Sequence, residues 1–247
     1  MQSESLNGDI FEILLLLGRP ASGKSEFIDF MEKCPLERRM TRYHLGELHI
    51  IDDFIMLWKK FEEDDLWEKL GHRRLFSKRV NENYTVTNDQ IWPFLIEKIN
   101  TYTEKYVQMK PDHFRQTILI EFSRGGKTGY ADALNTLSPK ILSHTAILYI
   151  HVSPEESRRR NIARYDKKKK ESILAHSVPQ DEMERMYAQD DWRDIAPKPA
   201  GWLLVNDIRL PYVTMSNEPE SKDPVILDRR YHDALETLHR LCREKNP

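Results

Sequence analysis

Residues 18–25 read Gly18-Arg19-Pro20-Ala21-Ser22-Gly23-Lys24-Ser25, a complete G-x-x-x-x-G-K-S spacing. Glycine at the first and sixth places permits a tight turn whose backbone N–H groups converge on a polyphosphate. A helix opening directly behind the turn adds partial positive charge at its N-terminus. The lysine would reach the β and γ phosphates, and the final serine hydroxyl would ligate Mg²⁺. The nucleotide-binding set is therefore Gly18, Arg19, Pro20, Ala21, Ser22, Gly23, Lys24 and Ser25, with Glu26 in the helix behind them. ATP and Mg²⁺ are the expected ligands.

Other residues carry chemistry by type and position. Asp52 and Asp53 close an apolar run, where adjacent carboxylates repel unless a metal or ligand compensates them. Asp52 is the favoured general base for a hydroxyl proton, or a metal contact, and Asp53 is assigned to the acceptor. A plainer role for one of them is to cap the helix that follows. Glu121 follows Ile118-Leu119-Ile120, a strand end suited to a second acidic group on the metal, so the metal set is Ser25, Asp52 and Glu121. Arg160 and Arg164 lie one helical turn apart within a basic run, placed to stabilise charge on a transferring phosphoryl group. With Lys24 and Asp52 they complete the catalytic set. Arg158, Arg159 and Lys167–Lys170 read as a solvated basic face. Arg73, Arg74 and Arg124 are assigned with Asp53 to an anionic or hydroxyl-bearing acceptor. His176 reads as structural. Trp58, Trp67, Trp92 and Tyr84 are core aromatics at helical spacing, with stacking on a substrate ring as the alternative.

These residues need a scaffold that brings strand ends together. Five apolar, β-rich runs, 10–17, 47–52, 117–122, 146–152 and 211–215, alternate with helical stretches. That alternation predicts a mostly parallel sheet covered on both faces, with its site at the carboxyl ends of the strands. The first run leads into the glycine-containing loop, the second ends in Asp52-Asp53, and the third reaches Glu121 through Arg124. The fourth precedes the arginine run. Residues 54–114 form an insert that reads as helical, Phe54, Leu57, Trp58 and Phe61 sharing one face and Ile91, Phe94, Leu95 and Ile99 another. Asn88 or Asp89 would cap its second helix. Residues 153–200 form a second variable region, a lid in organisation, and 227–241 read as a closing amphipathic helix. The whole reads as one domain.

Bulk numbers exclude several classes. With 38 basic and 40 acidic residues in 247, the chain is no polycation of the kind a dedicated nucleic-acid binder requires. Cys34 and Cys242 are its two cysteines and form no metal-ligand spacing, so a cytoplasmic protein with reduced thiols is expected. No apolar run is long enough to span a bilayer.

Taken together, the loop, Ile50-Ile51-Asp52-Asp53-Phe54, Ile118-Leu119-Ile120-Glu121 and Glu155-Glu156-Ser157-Arg158-Arg159-Arg160 with Arg164 resemble the P-loop kinase superfamily. Within it the set resembles nucleoside and nucleoside-monophosphate kinases, and the Asp-Asp-Phe element looks like that of uridine and nicotinamide riboside kinases. His176-Ser177-Val178-Pro179 with Met183 and Met186 is similar to the lid of polynucleotide-kinase-like and zeta-toxin-like members. The resemblance implies an α/β P-loop NTPase three-layer fold with a five-stranded parallel sheet in the order 2-3-1-4-5, a helical insert at the acceptor and an arginine-bearing lid over ATP. It implies an ATP-dependent kinase acting on a small hydroxyl or phosphate acceptor, nucleoside- or nucleotide-like. Two departures stand out: Arg19-Pro20 occupies the middle of the loop, and Phe122-Ser123-Arg124 continues the third strand where Glu-Gly is usual. The alternatives are a polynucleotide 5′-hydroxyl kinase, with Arg73–Arg79 and Lys167–Lys170 as a basic track, and a regulatory ATPase without an acceptor.

Overall fold

The computed structural model describes residues 10–80, 83–109, 115–168, 178 and 180–245. The elements in chain order are β1 (Ile13–Gly18), α1 (Lys24–Lys33), α2 (Leu36–Tyr43), β2 (Glu47–Asp52), α3 (Asp53–Lys69), β3 (Ser77–Val80), β4 (Asn83–Val86), α4 (Ile91–Met109) and β5 (Gln116–Phe122). They continue with α5 (Gly129–Thr136), α6 (Pro139–Leu142), β6 (Thr145–His151), α7 (Pro154–Lys168), α8 (Gln180–Tyr187), α9 (Trp192–Ile195), β7 (Ala200–Val205), β8 (Ile208–Ser216) and α10 (Pro224–Lys245).

The Ile13-Leu-Leu-Leu-Leu run is buried along its whole length, as a central strand with both faces covered must be. Its side chains alternate between two cores. Ile13, Leu15 and Leu17 pack with Leu57 and Phe61 of α3, Leu95 of α4 and Tyr130 of α5. Leu14 and Leu16 pack on the other face with Phe27 of α1, Tyr43 of α2 and Tyr231 and Leu235 of α10. Two helical layers thus enclose the sheet, as the apolar runs predict. Among the described residues no helix is long and apolar enough to cross a membrane.

The sheet corrects the expected five-stranded one. It has six strands in the order β2-β5-β1-β6-β8-β7. Five are parallel, and counted by themselves they run second, third, first, fourth, fifth. The sixth, β7, pairs antiparallel with β8 at the edge. Asn206 and Asp207 connect these two strands, with φ of 49° and 63°. A two-residue connection with both φ positive matches the twist of an antiparallel pair.

In the insert, the basic and polar link between the two expected helices, α3 and α4, contains two short strands, which pair as the antiparallel β3–β4 ribbon. One side chain organises it. Asp64 of α3, fully buried, accepts hydrogen bonds from the backbone N–H of Leu75 (2.8 Å), Phe76 (2.9 Å) and Ser77 (2.7 Å) and from the Ser77 hydroxyl (2.8 Å). Burial raises its carboxyl, but the four donors together hold it below the usual carboxylate range. The ribbon is therefore fixed against α3.

Candidate functional site

The carboxyl ends of β1, β2 and β5 open on a cavity of about 930 Å³, roofed by α7 and bounded on the far side by α3, the ribbon and α4. Pro20, Ala21, Gly23, Lys24, Ser25 and Glu26 line one end. The loop holds its shape by strict backbone demands. Gly23 has φ +106°, and a Cβ there would lie 2.4 Å from Asn217 Nδ2. A Cβ on Gly18, at φ +150°, would lie 2.5 Å from the Ile150 carbonyl and 2.6 Å from Ser22 Oγ. Ala21 adopts φ 57°, in the left-handed region that a non-glycine residue enters at a cost. A G-x-x-x-x-G-K-S loop set between a central parallel strand and a helix is the strand–loop–helix arrangement of a P-loop-type α/β fold.

Lys24 is buried, and its Nζ lies 3.1 Å from the Gly18 and Arg19 carbonyls, 2.7 Å from Ser123 Oγ and 3.8 Å from Glu121 Oε1. Asp52 and Glu121 are register partners on β2 and β5, so their carboxylates share the floor with Lys24. Asp52 also caps α3, accepting from the Phe54 N–H at 2.8 Å. The capping and the chemical reading of this residue are compatible. Burial, reinforced by the neighbouring Asp53, pushes the Asp52 carboxyl up to about 6. Asp53 lines the same cavity and pairs with the Nη1 of buried Arg124. Burial raises its carboxyl and the guanidinium pulls it back.

The structure places the other expected residues with mixed outcomes. Arg160 lines the cavity, its Nε 2.6 Å from Glu156 Oε1 and its Nη2 donating to the Asn217 carbonyl at 2.7 Å, while its Nη1 is buried without a partner. Arg164 lies in α7, and its side chain is outside the described residues, as are those of Lys167 and Lys168. Lys169, Lys170, His176, Ser177 and Pro179 lie outside them altogether. Arg19 turns away from the cavity: its guanidinium pairs with Asp190 at 2.7 Å and donates to the Tyr187 carbonyl. Ser22 is buried beneath the loop.

Arg124 does not line the cavity. Its guanidinium lies behind Asp53, 5.3 Å over the Trp92 ring and 5.1 Å over Phe122. Arg73 is exposed and Arg74 lies on the ribbon, paired with Asp65 and with Glu68 (3.2 Å) and donating to Ser77 Oγ at 2.8 Å. Neither reaches the cavity, because α3 supplies acidic partners that hold Arg74 at the ribbon. Trp58, Tyr84 and Trp92 do line it, so their alternative role fits, and Trp67 does not.

Several site residues have contacts that sequence reasoning does not assign, although fold analogy places the segment Tyr212 to Asn217 as a border for the nucleotide base. Asn217, just past β8, is buried and joins four elements. Its Nδ2 donates to the Ser22 carbonyl (2.8 Å), its Oδ1 accepts from Arg230 of α10 (3.1 Å) and its carbonyl accepts from Arg160 of α7. Its N–H bonds the His151 carbonyl of β6 at 2.9 Å. Ser157 Oγ donates to the Pro20 carbonyl at 2.7 Å, tying α7 to the loop. Asn161 clasps the Val178 backbone through both amide atoms. Single polar residues of this kind carry no spacing signal. Their roles come from long-range contacts.

No family model matches the chain, and no curated protein matches it. Among solved structures the chain is similar to a sugar kinase from Janibacter sp. HTCC2649, at 16% identity over 94% of this chain and 98% of that one, TM-score 0.46. It is also similar to shikimate kinase from Acinetobacter baumannii in complex with shikimate (11% identity, 99% and 100% covered, TM-score 0.43). A third is Chaetomium thermophilum Kti12 in complex with ADP-AlF3 (14% identity, 90% and 98% covered, TM-score 0.40). At such distance, function has to be read from this chain's own residues.

Proposed function

We propose that this protein is a Mg²⁺·ATP-dependent phosphotransferase that moves the γ-phosphoryl group to a small acceptor. One observation carries the reading: Lys24, Ser25, Asp52, Glu121 and Arg160 line a single cavity that also extends past them along the wall of α3, the ribbon and α4. A nucleotide at the loop would leave that extension for a second substrate. The residues fit the cofactor. The two glycines leave room where side chains would intrude, and Arg160 Nη1 is an orphaned donor at the roof. Among the described residues no group of three or more His, Cys, Asp or Glu forms a metal cage. That suits Mg²⁺, which binds through one or two protein oxygens together with substrate phosphates and water. Ser25, Glu121 and Asp52 would hold it, and bound Mg²⁺ supplies charge neutralisation at the phosphates.

The remaining work belongs to the protein. Lys24 exchanges the loop carbonyls and Ser123 for phosphate oxygens. Asp52 orients the acceptor hydroxyl and takes its proton, the hydroxyl oxygen bonds to the γ phosphorus, and the bond to the β–γ bridging oxygen breaks, its electron pair leaving with ADP. Arg160 stabilises the equatorial oxygens. Such catalysis is mainly positioning and electrostatics. A polynucleotide acceptor is disfavoured, since Arg74 and Arg79 are engaged by Asp65 and Glu68.

Asn217 is a positioning residue on this reading. Asn217→Ala leaves the Ser22 carbonyl and Arg230 without their partner and loosens the loop. A fluorescent ADP titration is expected to show about tenfold weaker binding, with an unchanged far-ultraviolet spectrum. The proposed function itself is tested by ADP formation from Mg²⁺·ATP with and without a pool of alcohols, sugars and nucleosides. Stimulation by an acceptor supports it. ADP formed at one rate regardless would make the chain an ATPase instead.

A further inference from the structure

The half of the cavity away from the phosphate loop is walled by Trp58, Phe61, Tyr84, Val86, Trp92 and Leu95. The rings pack edge-on or tilted against one another, Trp58 with Tyr84 at 5.4 Å and Phe61 with Tyr84 at 5.3 Å. Because Asp64 pins the ribbon, this wall is preformed. Its charges are the informative part. Four of the cations that the insert and β5 bring nearby are already held by carboxylates: Arg74 and Arg79 by Asp65 and Glu68, Lys60 by Glu63, and Arg124 by Asp53. At the lip, Lys59 and Glu62 of α3 are both exposed, where water screens their charges. The floor carries Asp52, Asp53 and Glu121, and Lys24 stands at the phosphate end.

An anionic acceptor entering here would lose its water, meet from this half only the exposed, water-screened Lys59, and face the Asp52 and Glu121 carboxylates, Asp53 being already paired with Arg124. An uncharged ring would bury apolar surface on the aromatic wall. We infer that the acceptor is an uncharged, ring-bearing alcohol, phosphorylated on its hydroxyl, and that the chamber rejects counterparts already carrying phosphate or carboxylate. This rests on the phosphotransferase reading for the hydroxyl's fate, but its binding half stands on the wall and its charges alone. Arg124 then acts at one remove, holding Asp53 and the Trp92 plate in place.

The test is calorimetric binding without ATP. The four common ribonucleosides and phenyl glucoside are each set against their own phosphate monoester. At least one uncharged compound should bind at least tenfold tighter than its monoester. Asp53→Asn, which keeps side-chain shape but releases the Arg124 guanidinium, should shrink that preference to threefold or less by strengthening monoester binding. A gain of this kind cannot come from misfolding. Monoesters binding as well as the alcohols, or no binding by any uncharged compound, overturns the inference. Label transfer run in parallel separates the two claims. Ring alcohols that bind but are never phosphorylated sink the phosphotransferase reading, whereas transfer onto an anionic acceptor sinks this one.

Discussion

Asp52→Asn is expected to lower phosphoryl transfer by about 10²–10⁴-fold and, in the same protein, to raise thermodynamic stability at neutral pH. The activity loss follows because an amide cannot take the acceptor's proton. The stability gain follows from the raised carboxyl, about 6 in the fold against an ordinary value of 3.8. Between those values the native state holds a proton that the unfolded chain has lost, so stability falls as pH rises through this window. The cost is absent below about pH 4 and fully present above about pH 6. Asparagine removes it while still accepting the Phe54 N–H as the cap of α3. Urea unfolding in metal-free buffer should therefore find the variant about 1–3 kcal/mol more stable at pH 7.5 and equal to wild type at pH 4. A variant less stable than wild type at pH 7.5 would mean that Asp52 is chiefly a structural carboxylate.

Arg160→Lys is expected to cut kcat by about 10²–10³-fold while changing the KM for ATP by less than about threefold. Lysine keeps the charge, but its single ammonium cannot reproduce the planar fork that bonds Glu156 and the Asn217 carbonyl while leaving a further buried donor, Nη1, unpartnered. Arg159 is the control. Its guanidinium already meets Glu156 at 2.6 Å and Glu220 at 3.1 Å, with the side chain 57% exposed. Arg159→Lys should therefore change kcat by less than about threefold. Equal losses in the two variants would show that α7 contributes general positive charge and not one aimed group.

What could be read from the sequence was whatever local spacing encodes. The loop, its lysine and serine, and the strand-ending Asp52, Asp53 and Glu121 are short-range patterns, and their convergence follows from parallel strands ending on one side. The continuous apolar runs announced buried central strands for the same reason. The β3–β4 ribbon escaped because its strands are short and partly basic and because it is organised by Asp64, distant in sequence. Strand β7 escaped because it lies at the edge, with Leu204 70% exposed, so its apolar pattern is broken. The Asn206-Asp207 pair before β8 was the available signal. Arg74, Arg124 and Arg19 looked like ligand-binding cations. Nothing local in the chain pairs them with Asp65, Asp53 and Asp190, and only the fold does so.

The most direct measurement is the fate of the γ-phosphate. Wild type, Lys24→Met and Asp52→Asn would each be incubated with γ-labelled ATP, Mg²⁺ and the uncharged ring alcohols. Label should appear on an acceptor hydroxyl with wild type and be lost with both variants. It should do so even though Asp52→Asn still binds fluorescent ADP. Label found only as free phosphate, released at the same rate by wild type and Asp52→Asn, would contradict the account and leave the chain an ATPase whose second chamber binds no phosphoryl acceptor.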